Sequence, residues 1–389
     1  RWDGGRRARA ALTFICQPGD PSLVGRVSDL GAAELLAQLR SGRGTPSQVA
    51  RARAVSVQAL CDQADRYQLR LVIPGDDEWP PATSDLNFVE PVGGMSGAPV
   101  ALWAKGPGHL AEYTDAAVAI VGARAATAYG ENVAVDLAAD LSADWPVISG
   151  LAYGVDAAAH RGAIAAGGHT VAIFAGGLDE CYPRGNSAIF EELVQHHLAI
   201  SEVPPGIRPT RAGFLARNRL IAALSLGTIV VEAGARSGAR NTVHWAAMLS
   251  RVTMAVPGPV TSAMSLTPHR LIRDGEAALV TDAADVRAML APLGKGPTLP
   301  IRGPGRVLDD LAPNLLRARE AVPGRGSCTT AELALRAGMT YGDCLAALVE
   351  LQLLHLVAEE GADCWRLPPV SEDQDDAAAP HQIPQISKG

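Results

Sequence analysis

Several things are scarce in this chain, and each scarcity excludes something. Phe, Trp and Tyr together make up 4% of the 389 residues, so little material exists for a surface built mainly on ring stacking. Lysine is nearly absent: Lys105, Lys295 and Lys388 are the only ones, and arginine supplies the rest of the positive charge. With 40 Gly and 27 Pro, that bias suggests a GC-rich genome. The six cysteines include no C-x-x-C pair and no Cys/His cluster at zinc spacing, so no zinc site is expected and a reducing cytoplasm is. No apolar stretch approaches about 18 residues, so no membrane-spanning helix is expected. The run from Ala11 to Cys16 is brief for a secretory signal and reads as the trimmed start of a helical segment. Net positive charge is also lacking: 34 basic against 41 acidic residues leave −7, which excludes a uniformly basic coat for nucleic acid.

The length allows roughly two to three domains. Residues 1–65 read as helical, with Gly and Pro breaking the pieces, and as a cap on the main domain ahead of a docking module. Residues 66–111 are rich in Pro, Gly and Asp and read as a lead-in or linker with one strand near Leu71 to Ile73. From 112 to 292 short apolar runs alternate with Ala-rich helical patterns. Ala117 to Val121, Val147 to Ser149, Thr170 to Phe174, Leu198 to Ile200 and Thr228 to Val231 are examples. That alternation predicts an α/β domain, doubly wound around a mostly parallel sheet, with its ligand crevice at the carboxyl ends of the strands. Residues 293–306 read as a linker. Residues 307–370 read as three helices and a hairpin, a winged-helix-like order. Residues 371–389 read as an acidic, disordered tail.

Five strand-end loops carry the chemistry. Gly122-Ala123-Arg124 follows the first strand, with Gly130 at the start of the next helix. This is not G-x-G-x-x-G, so the dinucleotide fingerprint is absent. Backbone N–H groups at a helix start beside a guanidinium still suit a phosphate, unless Arg124 is simply a solvated surface group. The second loop runs from Ser149-Gly150 through Gly154 to Asp156, with His160 beyond. It is another anion-friendly turn, in which Asp156 and His160 read equally well as a helix cap and its packing partner. Ser149 lacks the G-x-S-x-G elbow of a hydrolase nucleophile. In the third loop, Arg184 can reach a phosphate and Tyr182 offers a stacking face; alternatively Pro183 ends the loop and Asn186 caps the next helix. The fourth is the most charged. Between Pro204 and Ser250 stand Arg208, Arg211, Arg217, Arg219, Arg236 and Arg240 against the single acid Glu232, about +5 in a chain of −7. Arginines so concentrated are the footprint of a groove for a phosphate backbone, unless acids elsewhere pair with them. In the fifth, Glu232 precedes a turn containing Ser237 and Gly238.

Taken in order, these motifs resemble the DNA-processing protein A (DprA/Smf) family. They are Gly122-Ala123-Arg124, the Ser149-to-Asp156 loop with His160, Gly177, Tyr182-Pro183, Ser201-Glu202, Arg217-Asn218-Arg219, Glu232, Ser237-Gly238 and Pro257-Gly258. The resemblance covers roughly 66–292. It implies an extended Rossmann-like domain that binds single-stranded DNA in a basic pocket and forms a homodimer. It further implies loading of the RecA recombinase onto incoming DNA in natural transformation, and a protein that is not an enzyme. By resemblance the pocket positions are Arg124, Ser149, Gly150, Gly154, Arg217, Asn218 and Arg219; the loops add Gly122, Arg184, Ser237, Gly238 and Arg240. No cofactor is expected. Departures fall on the second half of the rim. Ser237-Gly238 continues as Ala239-Arg240-Asn241 where the family has Ser-Leu-Ile, and Arg240 is expected to compensate with charge.

Two other functions compete. A phosphoribohydrolase on the same fold would use Glu232 as acid or nucleophile and Arg124 as phosphate clamp, but its Pro-Gly-Gly-x-Gly-Thr run is missing. A winged-helix regulator would read duplex DNA through the helix Tyr341 to Leu354, which carries Asp343 and Glu350 and no basic residue. On the favoured reading, Arg217→Ala or Arg219→Ala lowers single-strand affinity and its salt dependence.

Overall fold

The computed structural model describes residues 2–291 and 311–368, which form two separate compact units. The expected linker 293–306 and tail 371–389 lie outside the described residues.

The first unit opens with five helices: α1 (Gly4–Ile15), α2 (Pro21–Leu30), α3 (Ala32–Arg40), α4 (Pro46–Ala54) and α5 (Val57–Tyr67). Local chemistry starts most of them. The side chains of Asp3, Asp20, Thr45 and Ser56 accept backbone N–H bonds at the starts of α1, α2, α4 and α5. Pro21 and Pro46 occupy first-turn positions, where a missing N–H costs nothing. The apolar faces of these helices pack on the sheet: Leu12, Leu35 and Leu39 share a buried cluster with Trp103, Phe174 and Phe190.

The sheet follows: β1 (Arg70–Val72), β2 (Leu102–Lys105), α6 (Leu110–Asp115), β3 (Val118–Val121), α7 (Ala128–Leu141), β4 (Val147–Ser149), α8 (Val155–Ala165), β5 (Thr170–Phe174), α9 (Ser187–His196), β6 (Leu198–Ser201), α10 (Arg211–Ala223), β7 (Gly227–Val230), α11 (Ala239–Met248), β8 (Val252–Ala255), α12 (Leu266–Arg273), β9 (Ala278–Leu279) and α13 (Ala283–Leu290). Nine strands run in the order β1-β2-β6-β5-β4-β3-β7-β8-β9. Strands β3 to β9 are mutually parallel, while β2 joins β6, and β1 joins β2, antiparallel. Sequence reading found one strand in 66–111 where the structure has two. The second, β2, is only four residues long and follows a stretch punctuated by Gly and Pro, so its signal is weak.

Alternate residues of β3 serve the two faces of the sheet. Val118 and Ile120 pack with Leu137 of α7 and Val155 of α8, while Ala119 and Val121 pack with Leu220 of α10 and Trp245 of α11. After β3 the chain winds outward through β4, β5 and β6, then crosses back to place β7 on the other side of β3. The β3/β7 pair is therefore the topological switch point, where a crevice opens beyond the carboxyl ends of the strands.

The second unit holds α14 (Pro313–Ala321), β10 (Cys328–Thr329), α15 (Thr330–Ala337), α16 (Tyr341–Leu353), β11 (Ala358–Glu359) and β12 (Cys364–Arg366). Thr329 and Glu332 form a reciprocal capping box at the start of α15. Leu333, Leu348, Leu351 and Trp365 build its core.

Candidate nucleic-acid interface

A cavity of about 900 Å³ occupies the switch point. Its main lining comes from the loop after β3, the first turns of α10 and the turn that leads into α11, with Ala152, Asp156, Tyr182 and Met264 completing it. Two glycines let the first of these sit close. A Cβ at Gly122 would meet the Glu232 carbonyl oxygen at 2.7 Å, and one at Gly154, held at φ +73°, would overlap the carbonyl oxygen of Ala123. The backbone closes the join, with Ala123 N donating to Glu232 O at 2.6 Å and Val155 N to Ala123 O at 3.2 Å.

Four arginines, Arg124, Arg211, Arg217 and Arg236, line the cavity against one carboxylate, Asp156. Arg124, Arg211 and Arg236 are exposed, and none of the three side chains makes a hydrogen bond or ion pair with another described residue. Arg217 is different. It is 7% exposed, and its Nη1 donates to Gly150 O at 2.7 Å and Ile173 O at 2.8 Å. Burial pulls the Arg217 pKa down while Asp156 opposes that shift; burial pushes the Asp156 carboxyl up, against the neighbouring Arg217 charge. Phe214 is the hub of the charge: the Arg124 guanidinium lies 4.5 Å from its ring centroid and that of Arg217 5.7 Å. Asn218 Nδ2 donates to Asn241 Oδ1 at 3.2 Å and to Gly238 O at 3.4 Å, which ties α10 to the start of α11. The N-terminal ends of α10 and α11 both border the cavity and add partial positive charge. Such a site favours an anion flanked by a flat apolar group.

Of the residues expected from the sequence, the structure brings Gly122, Arg124, Arg217, Asn218, Ser237 and Gly238 to this cavity. The rest lie elsewhere. Arg219 is a correction: it is 0% exposed, and its Nη2 sits 2.6 Å from Glu202 Oε1, on the buried side of α10. Ser149 is a second correction, since its buried hydroxyl donates to Ile120 O and ties β4 to β3. Gly150 and Gly154 act through the backbone, the first accepting from Arg217, the second starting α8. Arg184 borders a separate neighbouring cavity, and Arg240 is exposed on α11 away from the lining. Asn186 does not cap α9 with its side chain. It is buried, and Nδ2 donates to Leu151 O and Ala152 O, which fixes the loop after β4.

Glu232 is 1% exposed and does not line the cavity. Its carboxylate accepts from Thr127 N and Thr127 Oγ1, both at 2.8 Å, and so anchors the start of α7 to the end of β7. Gly130 makes room for it, because a Cβ there would overlap the carboxylate. Sequence reasoning missed Asn241, Thr242 and Met264 as lining residues. Asn241 was findable, since it lies three positions past Gly238 on the first turn of a helix. Among the described residues no group of three or more His, Cys, Asp or Glu is placed to hold a metal ion. No helix there is long and apolar enough to cross a membrane.

Comparison with known proteins gives concordant matches. The family model described as DNA recombination-mediator protein A matches residues 70–291. A Mycobacterium tuberculosis chain named as a DNA processing protein DprA is 42% identical over 377 residues, 93% of this chain and 94% of that one. The DNA processing protein DprA of Streptococcus pneumoniae is 40% identical over 191 residues, 49% of this chain and 67% of that one. A crystal structure of the Streptococcus pneumoniae protein superposes with a TM-score of 0.61 at 30% identity, covering 72% of this chain and 95% of that one.

Proposed function

The chain belongs to the DNA recombination-mediator protein A family, and on that premise we propose that its arginine-lined cavity binds single-stranded DNA. One observation carries this reading: four arginines and two helix N-termini converge on one concave site at the switch point. A concave site suits a strand whose phosphates and bases are free to enter separately, whereas a duplex keeps its bases stacked inside. The contacts are Arg124, Arg211, Arg217 and Arg236 to phosphate, and Phe214 to a base. The polar groups of Asn218, Ser237 and Gly238 complete the rim. Affinity comes mainly from charge, so sequence preference is low.

We further propose that the protein works in the cytoplasm as a homodimer, protects incoming strands and helps load RecA on them during transformation and recombination. The DNA-binding part is the span 112–292, and the unit within 307–370 serves protein contacts, because α16 has no basic residue to meet a phosphate. The protein acts as a binder and not as a phosphoribohydrolase: the acid that chemistry needs, Glu232, is occupied by Thr127.

The test is a gel shift with single-stranded and duplex oligonucleotides, with and without RecA, followed by RecA nucleation on strands coated with single-strand-binding protein. Preference for the single strand and faster nucleation are expected. Preference for duplex would overturn the strand-binding reading in favour of a regulator; unchanged nucleation would overturn the RecA role alone. Release of free base from nucleoside monophosphates would overturn the non-enzyme reading.

A further inference from the structure

A second cavity of about 490 Å³ adjoins the first, and the two share Tyr182 and Pro209 as a common wall. Arg184 and Arg208 line it. Arg184 is 88% exposed, and among the described residues it pairs with Glu180 at 3.9 Å, an exposed pair worth little in water. Arg208 is exposed and makes no side-chain hydrogen bond or ion pair with another described residue. The cavity's other acid, Asp179, is already engaged: its Oδ1 accepts from Gly206 N at 2.8 Å, and the ammonium of Lys105 lies near it. Both arginines therefore keep charge to spare for an anion.

The wall between the cavities is aromatic. Tyr182 is 49% exposed, and its ring centroid lies 6.0 Å from that of Phe214 at 51°. Phe214 in turn carries Arg124 and Arg217 on the first cavity's side. Contacts thus run from Arg124 and Arg217 through Phe214 to Tyr182, which lines the second cavity together with Arg184 and Arg208. In a chain where aromatics make up 4%, two neighbouring rings, with Arg124 and Arg217 in one cavity and Arg184 and Arg208 in the next, form a small stacking platform with cations in both cavities.

We propose that the second cavity is a further nucleotide site: a strand seated in the first cavity crosses Tyr182, stacks a base on that ring, and places its next phosphates on Arg184 and Arg208. The inference rests on the single-strand reading of the first cavity and extends it from one site to two adjoining ones that share Tyr182 and Pro209.

The test uses the full chain and a ladder of fluorescent oligothymidylates, titrated at several salt concentrations. With the native protein, affinity rises with length as the strand reaches the second cavity, and the salt slope steepens by about 1.4, or about 0.7 for each of two phosphates. In Arg184→Ala/Arg208→Ala the gain with length and the added slope disappear together, while Arg184→Lys/Arg208→Lys keeps both. Tyr182→Leu weakens long strands at least about fivefold with no change in slope, and Tyr182→Phe restores them. All these side chains are exposed, and unchanged thermal melting confirms that the variants fold. A length gain and slope equal to the native ones in the double alanine variant would overturn the second site while leaving the first intact. No binding by the native protein at any length would instead sink the first reading and this one with it.

Discussion

Arg219 Nη2 lies 2.6 Å from Glu202 Oε1, with the arginine side chain wholly buried and the carboxylate 12% exposed. The pair joins α10 to the segment after β6, so both groups have left water together. Arg219→Ala is therefore expected to destabilise the fold by about 3–5 kcal/mol, because it strands Glu202. Arg219→Met/Glu202→Met recovers most of that loss, since a buried pair replaced by apolar groups of similar size is close to neutral. Denaturant unfolding of both variants measures it. A single alanine variant that unfolds like the native protein, yet has lost strand binding, would return Arg219 to the pocket.

Arg124 and Arg217 separate charge from structure. Arg124 is exposed, so Arg124→Ala leaves the melting temperature unchanged, lowers strand affinity about tenfold and reduces the salt slope by about 0.7. Arg217→Ala does more, because Gly150 O and Ile173 O lose their donor; about 1–3 kcal/mol of stability goes with the affinity. Paired melting and anisotropy measurements distinguish the two. Equal stability losses would contradict the difference in burial.

Gly150 has no room for a side chain. A Cβ there would occupy the space of the Arg217 guanidinium. Gly150→Ala is expected to push that guanidinium from its two carbonyls, costing about 1–3 kcal/mol and part of the affinity. Adding Arg217→Ala relieves the overlap, so the double variant is more stable than the two single losses predict. Strict additivity in a double-mutant cycle would refute the contact.

His160 makes the fold sensitive to acid. The Thr170 hydroxyl donates to Val147 O and accepts from His160 Nδ1, which leaves Nε2 buried without a partner. Burial lowers its pKa from 6.5 to about 3, helped by the neighbouring His197 and Arg217. Between those values the unfolded chain binds a proton that the folded chain refuses, so stability falls as pH drops from 6.5 towards 3 and is unaffected above 6.5. The contribution between pH 6.5 and 4 is about 3 kcal/mol. His197 shifts the same way, and the raised Asp156 carboxyl opposes it. Comparing native protein with His160→Gln by urea unfolding at each pH isolates the His160 part. Parallel pH profiles would refute it.

Much of this was legible in the sequence, for local reasons. Short apolar runs between helical patterns predicted a doubly wound sheet because period and length are properties of neighbouring residues. The loops after β3 and before α11 were found because glycine, serine and arginine mark turns that present backbone N–H groups. Helix phase alone should have parted Arg217 from Arg219: two positions apart on one helix, they point to different sides. One reaches the cavity and the other the buried Glu202.

Charge density along the chain by itself determined that positive charge concentrates within 204–250, despite a net charge of −7. Which arginines are free was decided only by the tertiary structure. Ion pairing depends on partners distant in sequence, such as Glu202 for Arg219, and a carbonyl ligand such as Gly150 O for Arg217 has no sequence signature. The crossover that sets β7 beside β3 likewise brought 122–125 against 234–242, and a cavity between segments so far apart in the chain exists only once the sheet has formed.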